Sequence, residues 1–402
     1  MSTTTVNLHE FELENPTEIH KMLRETVRQF TESEIEPQAH EFDRQEKFNV
    51  PLFKKCGELG LLGLTVSEAY GGSGLDATAV ALVHEEMSAS DPGFCLAYLA
   101  HALLCVNNLA VNGSEAQKKK YLPGLCSGDL IGAMAMSEPD YGTDVMGMKS
   151  TAIKNKDGNY VLNGRKMWIT NGAIDDNKTP CDMVWVYAKT GEKNGRAQLS
   201  TFIVEKNDKG FYVGQKIADK LGMRGSNTAE LVFENCILTP DRLVGNEGDS
   251  MHHMMRNLEI ERVGLAAMSL GIARRSIQIM NKYAQDRHSF GKPLNFYGQI
   301  QKNIGDSYAE YKAASAYVYN TARKMNLDKE GNRLDSDGVK LVATTMAKNV
   351  ADRAIQVLGG YGYVGEYIVE RLWRDAKLLE IGGGTLEAHQ KNITRDLAKA
   401  GF

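Results

Sequence analysis

The sequence holds only 6 cysteines in 402 residues, at positions 56, 95, 105, 126, 181 and 236, with no C-x-x-C pair and no zinc-ligand spacing. No metal site is expected. The cysteines read as free thiols of a reducing compartment, and Cys95 and Cys105 as small hydrophobes in apolar stretches. No apolar run comes near the roughly 20 residues that span a bilayer, so no membrane insertion is expected. The first twenty residues lack the basic and apolar regions of a secretory leader and the arginine-rich pattern of a transit peptide. The expectation is a cytoplasmic (bacterial) protein, or a mitochondrial matrix protein whose transit peptide has been removed. An excess of either charge is also missing: the net charge is −4. That gives no reason to expect nucleic acid or an anionic membrane surface as a partner. The one dense basic run, Lys118–Lys120, reads as a solvated helix face.

What is present is an ordinary soluble balance, 42% hydrophobic and 24% charged, in a chain long enough for two or three domains. From Pro16 to Leu125 the chain reads as successive helices, with apolar residues at helical spacing and a glycine loop at EAYGGSGL. From about Leu130 short segments rich in Val, Ile, Tyr, Trp and Phe take over: GNYVLNGRKMWITNG, DMVWVYAKT, LSTFIVEK and AELVFENCIL. These predict antiparallel strands, with turns at Asp157-Gly158 and Asn163-Gly164 and surface loops at 175–180 and 192–196. From about Gly248 helical patterns return over 250–286, 297–326, 335–359 and 383–399. Helices, then strands, then helices give an α+β protein: an N-terminal helical domain (1–129), a middle antiparallel β domain (130–244) and a C-terminal four-helix bundle (245–402).

Two motif matches carry no chemistry. His84-Glu85-Glu86-Met87-Ser88 starts like a zinc-protease helix but has Ser where the second His belongs. Gly360, Gly362 and Gly365 satisfy G-x-G-x-x-G, yet they follow a long helix rather than a strand, so they read as a helix end.

Three stretches hold candidate chemistry. In MHHMMRNLEIERVGLAAMSLGI, residues Met251, Met254, Leu258, Leu265, Met268 and Ile272 form one apolar stripe, and Glu261 falls on it. Glu259 points to nearly the opposite side. A carboxylate on a core-facing stripe is either a structural ion pair or a general base with a raised pKa, and periodicity leaves both open. AMAMSEPDYGTD is a turn-rich junction with Ser137, Thr143 and free backbone N–H groups, while KMWITNG ends a strand on Trp168, a core aromatic or a stacking platform. RDAKLLEIGGGTLEAHQ breaks a helix at Gly382, Gly383 and Gly384, an interhelical turn or a close approach to a ligand.

The motifs YGGSGL, AMSEPDYGTD, LNGRKMWITNG, KLGMRGSNTAELVFENC, RHSFGKPL, QVLGGYGY and RDAKLLEIGGGTLE stand in the order and at about the spacing of one family. Over nearly its whole length the chain resembles the acyl-CoA dehydrogenase flavoproteins. AHALLCVNNLAVNGSEAQKKKYLPGL and LEIERVGLAAMSLG are particularly similar to the isovaleryl-type members. The resemblance implies FAD held between the β domain and the C-terminal bundle, a homotetramer, α,β-dehydrogenation of an acyl-CoA, and electron transfer to an electron-transferring flavoprotein.

Carried over by position, the resemblance places Met134, Met136 and Ser137 against the flavin and Gly142 and Thr143 near its phosphates or the CoA chain. It has Trp168 and Thr170 on the isoalloxazine, and Arg287, Ser289 and Phe290 on the diphosphate and adenosine. Gln356, Gly359 and Gly360 would meet the adenosine portion in a neighbouring subunit, with Thr385 and Glu387 closing the cofactor site. Thr143, Arg262, Leu379, Gly382 and Gly383 are the substrate-side candidates. Many members carry the catalytic Glu immediately before the Gly-Thr of the C-terminal motif, where this chain has Gly383. Isovaleryl-type members place it on the earlier helix instead, at the position of Glu261. The chain departs from the family pattern at Gly298, Tyr361 and Leu379, the last where isovaleryl-type enzymes have an aromatic. The expected reaction is dehydrogenation of a short branched acyl-CoA such as isovaleryl-CoA. The alternatives are another acyl group (aromatic, dicarboxylic or longer) or an acyl-CoA oxidase on the same fold.

Overall fold

The computed structural model describes residues 13–401. The first block contains α1 (Glu18–Phe30), α2 (Glu36–Gln45), α3 (Val50–Glu58), α4 (Ala77–Ser88), α5 (Pro92–Leu99), α6 (Asn108–Asn112) and α7 (Glu115–Ser127). Side-chain caps start several of them: Thr17 accepts from His20 N, Asp76 from Ala79 N, and Ser114 forms a capping box with Gln117. Two π-helical segments, Thr31–Ile35 and Ala100–Asn107, join α1 to α2 and α5 to α6 without a break. The second join makes Pro92–Asn112 one helix that is long and apolar enough to cross a membrane by composition, contrary to the sequence expectation. Most of it is buried inside the protein.

The middle block is an 8-stranded sheet of β1 (Gly132–Ala135), β2 (Thr151–Lys154), β3 (Tyr160–Thr170), β4 (Met183–Lys193), β5 (Arg196–Glu205), β6 (Phe211–Lys216), β7 (Thr228–Leu238) and β8 (Leu243–Val244). Its order is β6-β7-β3-β2-β4-β5-β8, with β1 beside β4. Most pairings are antiparallel, as expected, but β1 and β2 each run parallel to β4. Asn163-Gly164 is not a turn. It lies inside β3, where the register against β7 shifts, and a Cβ on Gly164 would stand 2.2 Å from Ser150 Oγ. The glycine serves a bulge where neighbouring chain comes close. The segment expected as a loop at 192–196 is largely strand, since β4 and β5 extend to a tight turn at Asn194-Gly195.

The C-terminal block comprises α8 (Ser250–Asp286), α9 (Gly298–Lys324), α10 (Arg333–Leu358), α11 (Gly360–Tyr363), α12 (Val369–Leu379) and α13 (Leu386–Ala400). α8 packs against α9, α10 and α12, and also against α4 of the first block. The two helical blocks therefore share one core. This changes the reading of α8: every residue from 259 to 273 is buried, so the helix has no solvent face in its middle, and Met251, expected on the stripe, is exposed at its start. The join is also ionic. Glu86 on α4 receives hydrogen bonds from Arg24 and Arg28 on α1 and Arg274 on α8. Burial pushes its pKa up, but the hydrogen bonds and charges of the three arginines prevail and hold it at about 2.

The α4–α8 contact is close enough that a Cβ on Gly271 would lie 2.2 Å from both Glu85 O and Ser88 Oγ. Gly271→Ala is expected to force the helices apart and cost about 1–3 kcal/mol. Thermal denaturation checks this: an unchanged Tm would refute the close packing.

Candidate active site

The three blocks meet around a cavity of about 740 Å³. The α5 helix and its π-helical extension supply Leu96, Leu99, Ala100 and Leu104, an apolar wall. The β side supplies Met134, Met136, Ser137, Gly142, Thr143, Trp168 and Thr170. The bundle supplies Glu261, Leu265, Leu378 and the turn Ile381–Thr385.

Trp168 reaches the cavity through a second bulge in β3, between Lys166 and Ile169. Its φ is +60°, a strained conformation for an aromatic residue, and its side chain is 55% exposed. The adjoining junction is fixed from behind. Met167 N donates to Ser137 O at 2.9 Å. The wholly buried Lys166 donates to Met136 O and pairs with Glu138 at 3.0 Å, while Glu138 accepts from the amides of Lys149 and Ser150. Burial lowers the Lys166 pKa to about 8, against the pull of Glu138.

The two carboxylates of the opening stretch are both buried but differ in their partners. Glu259 accepts from the amides of Gly331 and Asn332, 2.8 Å at the shortest, at the N-terminus of α10. That is a structural role, favoured by the helix dipole. Its partners, at the start of α10, are not those that surround Glu261. Glu261 Oε2 has no hydrogen-bond partner within the protein. Burial pushes its pKa up to about 7, with the charges of Arg262 and Lys340 acting against the shift.

Across the cavity wall, Gly383 has φ +67°, and a Cβ built on it would lie 2.5 Å from Leu265 Cδ1 and 3.1 Å from Glu261 Oε1. A side chain at 383 would thus project onto the Glu261 carboxylate. Gly382 and Thr385 also line the cavity, and Thr385 caps α13 by accepting from Ala388 N.

Other candidates lie elsewhere. Leu379 is wholly buried in the shared core and does not line the cavity; its neighbours Leu378 and Ile381 do, because the helix turns Leu379 inward. Arg262 stands behind the wall, 3.1 Å from Asp337 Oδ1, with Nε 3.5 Å from Gly383 O. Glu387 is exposed at the start of α13. Arg287 lines a separate cleft with Tyr283, Tyr361 and Tyr367. Ser289 and the 94% exposed Phe290 sit on the adjacent hairpin, and Gln356, Gly359 and Gly360 are exposed at the end of α10. Sequence reasoning missed the apolar wall from Leu96 to Leu104 and the buried Lys340, Asp337 and His389 behind the glycine turn. The one available signal was Asp337 and Lys340, three apart on one face of a helical pattern.

Comparison with known sequences decides the family. The N-terminal, middle and C-terminal domains described as "Acyl-CoA dehydrogenase" match residues 17–129, 133–236 and 248–398 in turn. The chain belongs to the acyl-CoA dehydrogenase family. It is 43% identical to mitochondrial isovaleryl-CoA dehydrogenase of Arabidopsis thaliana, over 94% of this chain and 90% of that one. It is 41% identical to mitochondrial 2-methylacyl-CoA dehydrogenase of Solanum tuberosum, over 94% and 90%. Among solved structures it is similar to butyryl-CoA dehydrogenase of Megasphaera elsdenii, with TM-score 0.90, 35% identity and coverage of 95% and 98%.

The dehydrogenase is accordingly an FAD-dependent oxidoreductase. The β side of the cavity fits a flavin ring: an exposed indole held by a strained backbone, two methionines, and Ser137 and Thr170 hydroxyls for its polar edge.

A carboxyl group whose pKa is raised by folding penalises the folded state above its unfolded pKa. For Glu261 that penalty grows as pH rises from about 4.5 to about 7 and is constant beyond. Glu261→Gln removes it. The variant's stability advantage is expected to be absent below that window and to reach the order of 2–3 kcal/mol above it. Holoenzyme Tm at about pH 4 and pH 8 checks this, and a difference independent of pH would refute it.

Proposed function

We propose that this acyl-CoA dehydrogenase oxidises a short branched acyl-CoA, isovaleryl-CoA or a close analogue, with Glu261 as the base that removes the α-proton. One observation carries the assignment: Glu261 faces the cavity with a carboxylate oxygen that no protein group satisfies, and the alternative base position, Gly383, points at the same spot. A base held near pH 7 is suited to this proton transfer, because it is substantially ionised yet strongly basic for a carboxylate.

In this reading the thioester carbonyl lies against the glycine turn, where the Gly383 amide donates to its oxygen. Negative charge gathers on that oxygen as the α-proton leaves, so a fixed donor there stabilises the transition state more than the ground state. Glu261 takes the proton and becomes neutral, which suits its buried position. FAD, when bound, supplies the acceptor for the hydride that leaves the β-carbon, and the product is the 2-enoyl-CoA. Trp168 stacks on the ring, Met134 and Met136 cover its apolar part, and Ser137 and Thr170 bond its edge. Gly142 and Thr143 border the phosphates or the CoA chain, and Thr385 closes the cofactor site.

Gly382 and Gly383 leave space for a β-branch beside the carbonyl, and Leu96, Leu99, Leu378 and Ile381 supply apolar surface for it. Arg287, Ser289, Phe290, Gln356, Gly359 and Gly360 do not line this cavity. Phe290, Phe296 and Tyr363 are 94%, 66% and 83% exposed. This is the pattern of groups that contact cofactor and partner across a subunit boundary, and it supports a homotetramer with the adenosine end of FAD held between subunits. An electron-transferring flavoprotein is the proposed electron acceptor.

The test is a steady-state panel of straight, branched, aromatic and dicarboxylic acyl-CoAs with an artificial electron acceptor. Isovaleryl-CoA or its 2-methyl isomers are expected to give the highest kcat/KM; preference for a straight-chain or aromatic substrate refutes the branched assignment. Glu261→Gln is expected to retain FAD and bind acyl-CoA while kcat falls by about 10²–10⁴-fold. Full turnover in that variant would remove Glu261 from the reaction.

A further inference from the structure

Behind the glycine turn, on the side away from the cavity, lies a cluster of buried charges to which the reaction above gives no part. Lys340 on α10 is fully buried and donates to Gly384 O at 2.5 Å. His389 on α13 places Nε2 3.0 Å from the same oxygen and Nδ1 against Asp337. Arg262 on α8 has Nε 3.5 Å from Gly383 O and is paired with Asp337 at 3.1 Å. Two consecutive carbonyls are thereby turned away from the cavity onto cationic or imidazole groups from three helices. No peptide bond among the described residues is cis. In a planar trans peptide the N–H points opposite to the C=O, so the amides of Gly384 and Thr385 are aimed the other way, and both residues line the cavity.

The same cluster faces the base. Around Lys340 stand Glu261 and Arg262 from α8, Asp337 from its own helix, and Glu380 from the end of α12. His389 of α13 also feels the charges of Lys340 and Arg262. The Tyr187 hydroxyl of β4 is the further titratable group near Glu261. Burial draws the Lys340 pKa down to about 7, against the opposing effect of Glu261.

We propose that Lys340, braced by Arg262, Asp337 and His389, is a positioning residue for the reaction: by holding Gly384 O on the far side it fixes the turn that carries the Gly383 amide, and it sets a positive charge behind the Glu261 carboxylate. This rests on the reading of Glu261 as the base. Removing the charge leaves the carboxylate harder to ionise, so its acid form persists to higher pH.

Two holoenzyme variants test it. Lys340→Gln keeps a donor for Gly384 O without the charge, and Lys340→Met removes both. Each is expected to move the acid limb of kcat/KM against pH upward, a loss of about tenfold at a fixed pH on that limb that is recovered at higher pH. The second readout is the infrared carbonyl band of bound 2,2-dimethylpropanoyl-CoA, which has no α-proton to lose. The band is expected to move towards its solution frequency in Lys340→Met and to stay near the wild-type value in Lys340→Gln. An acid limb that stays in place in a folded variant, with only Tm lowered, reduces the cluster to packing and overturns the proposal. Should Lys340→Met not fold, Lys340→Gln alone decides the limb. Full turnover by Glu261→Gln would instead overturn the base assignment, whatever the Lys340 variants show.

Discussion

The constraint on which the site depends is the complete burial of the middle of α8. A helix with no solvent face must satisfy every polar side chain from within the protein, because an unpaired buried charge is costly. The helix largely meets that demand. Arg256 donates to Asn107 and Leu327 O, Glu259 takes amides at the start of α10, Arg262 is paired with Asp337, and Arg274 holds Glu86. Glu261 is the acid on α8 left with an open oxygen, and it is the one that faces the cavity. Arg256, Asn257 and Arg262 also keep a buried nitrogen without a hydrogen-bond partner, but of these residues only Glu261 lines the cavity, which marks where chemistry takes its place.

Two backbone features with positive φ border the same space. Trp168 has positive φ in a bulge of β3, and Gly383 and Gly384 have φ of +67° and +108°. Each is held from behind by buried ionic groups, Lys166 with Glu138 on the sheet side and Lys340 with Asp337 and His389 on the helical side. The arrangement is common to both walls: a backbone at positive φ, strained at Trp168 and open to glycine at 383 and 384, presents a flat ring or an amide inward, while a buried charge behind it fixes its carbonyl partners.

The long helices of the C-terminal block were legible because their period is strong; the pattern over 250–286 coincides with α8. Most long strands were legible from β-branched and aromatic runs. β1 and β6 were not, since Gly132–Ala135 and Phe211–Lys216 are short and β1 owes its place to parallel pairing with β4. Asn163-Gly164 carries a turn signature that tertiary pairing with β7 overrides. Glu261 was visible as a carboxylate on an apolar stripe and Glu259 as one facing away from it, but the amides that satisfy Glu259 were not, because they come from the start of α10, distant in sequence. The burial of Lys340 and His389 was missed for the same reason: beyond its spacing from Asp337, a lysine in a helical pattern reads as surface until the helices covering it are known. Leu379 was placed one residue away from the side chains that line the cavity, an error that helical phase produces easily at a helix end.

The apolar helix Pro92–Asn112 has a consequence for how the chain is made. It is covered in the finished protein by α8 and by β1, which contacts its π-helical segment. On the ribosome, however, it emerges well before α8, which begins only at Ser250. At about 5–20 residues per second, a segment with the composition of a membrane span waits on the order of ten seconds for its cover. During synthesis the N-terminal block is therefore an incomplete core, and the demand for chaperone shielding falls on this helix rather than on the catalytic residues.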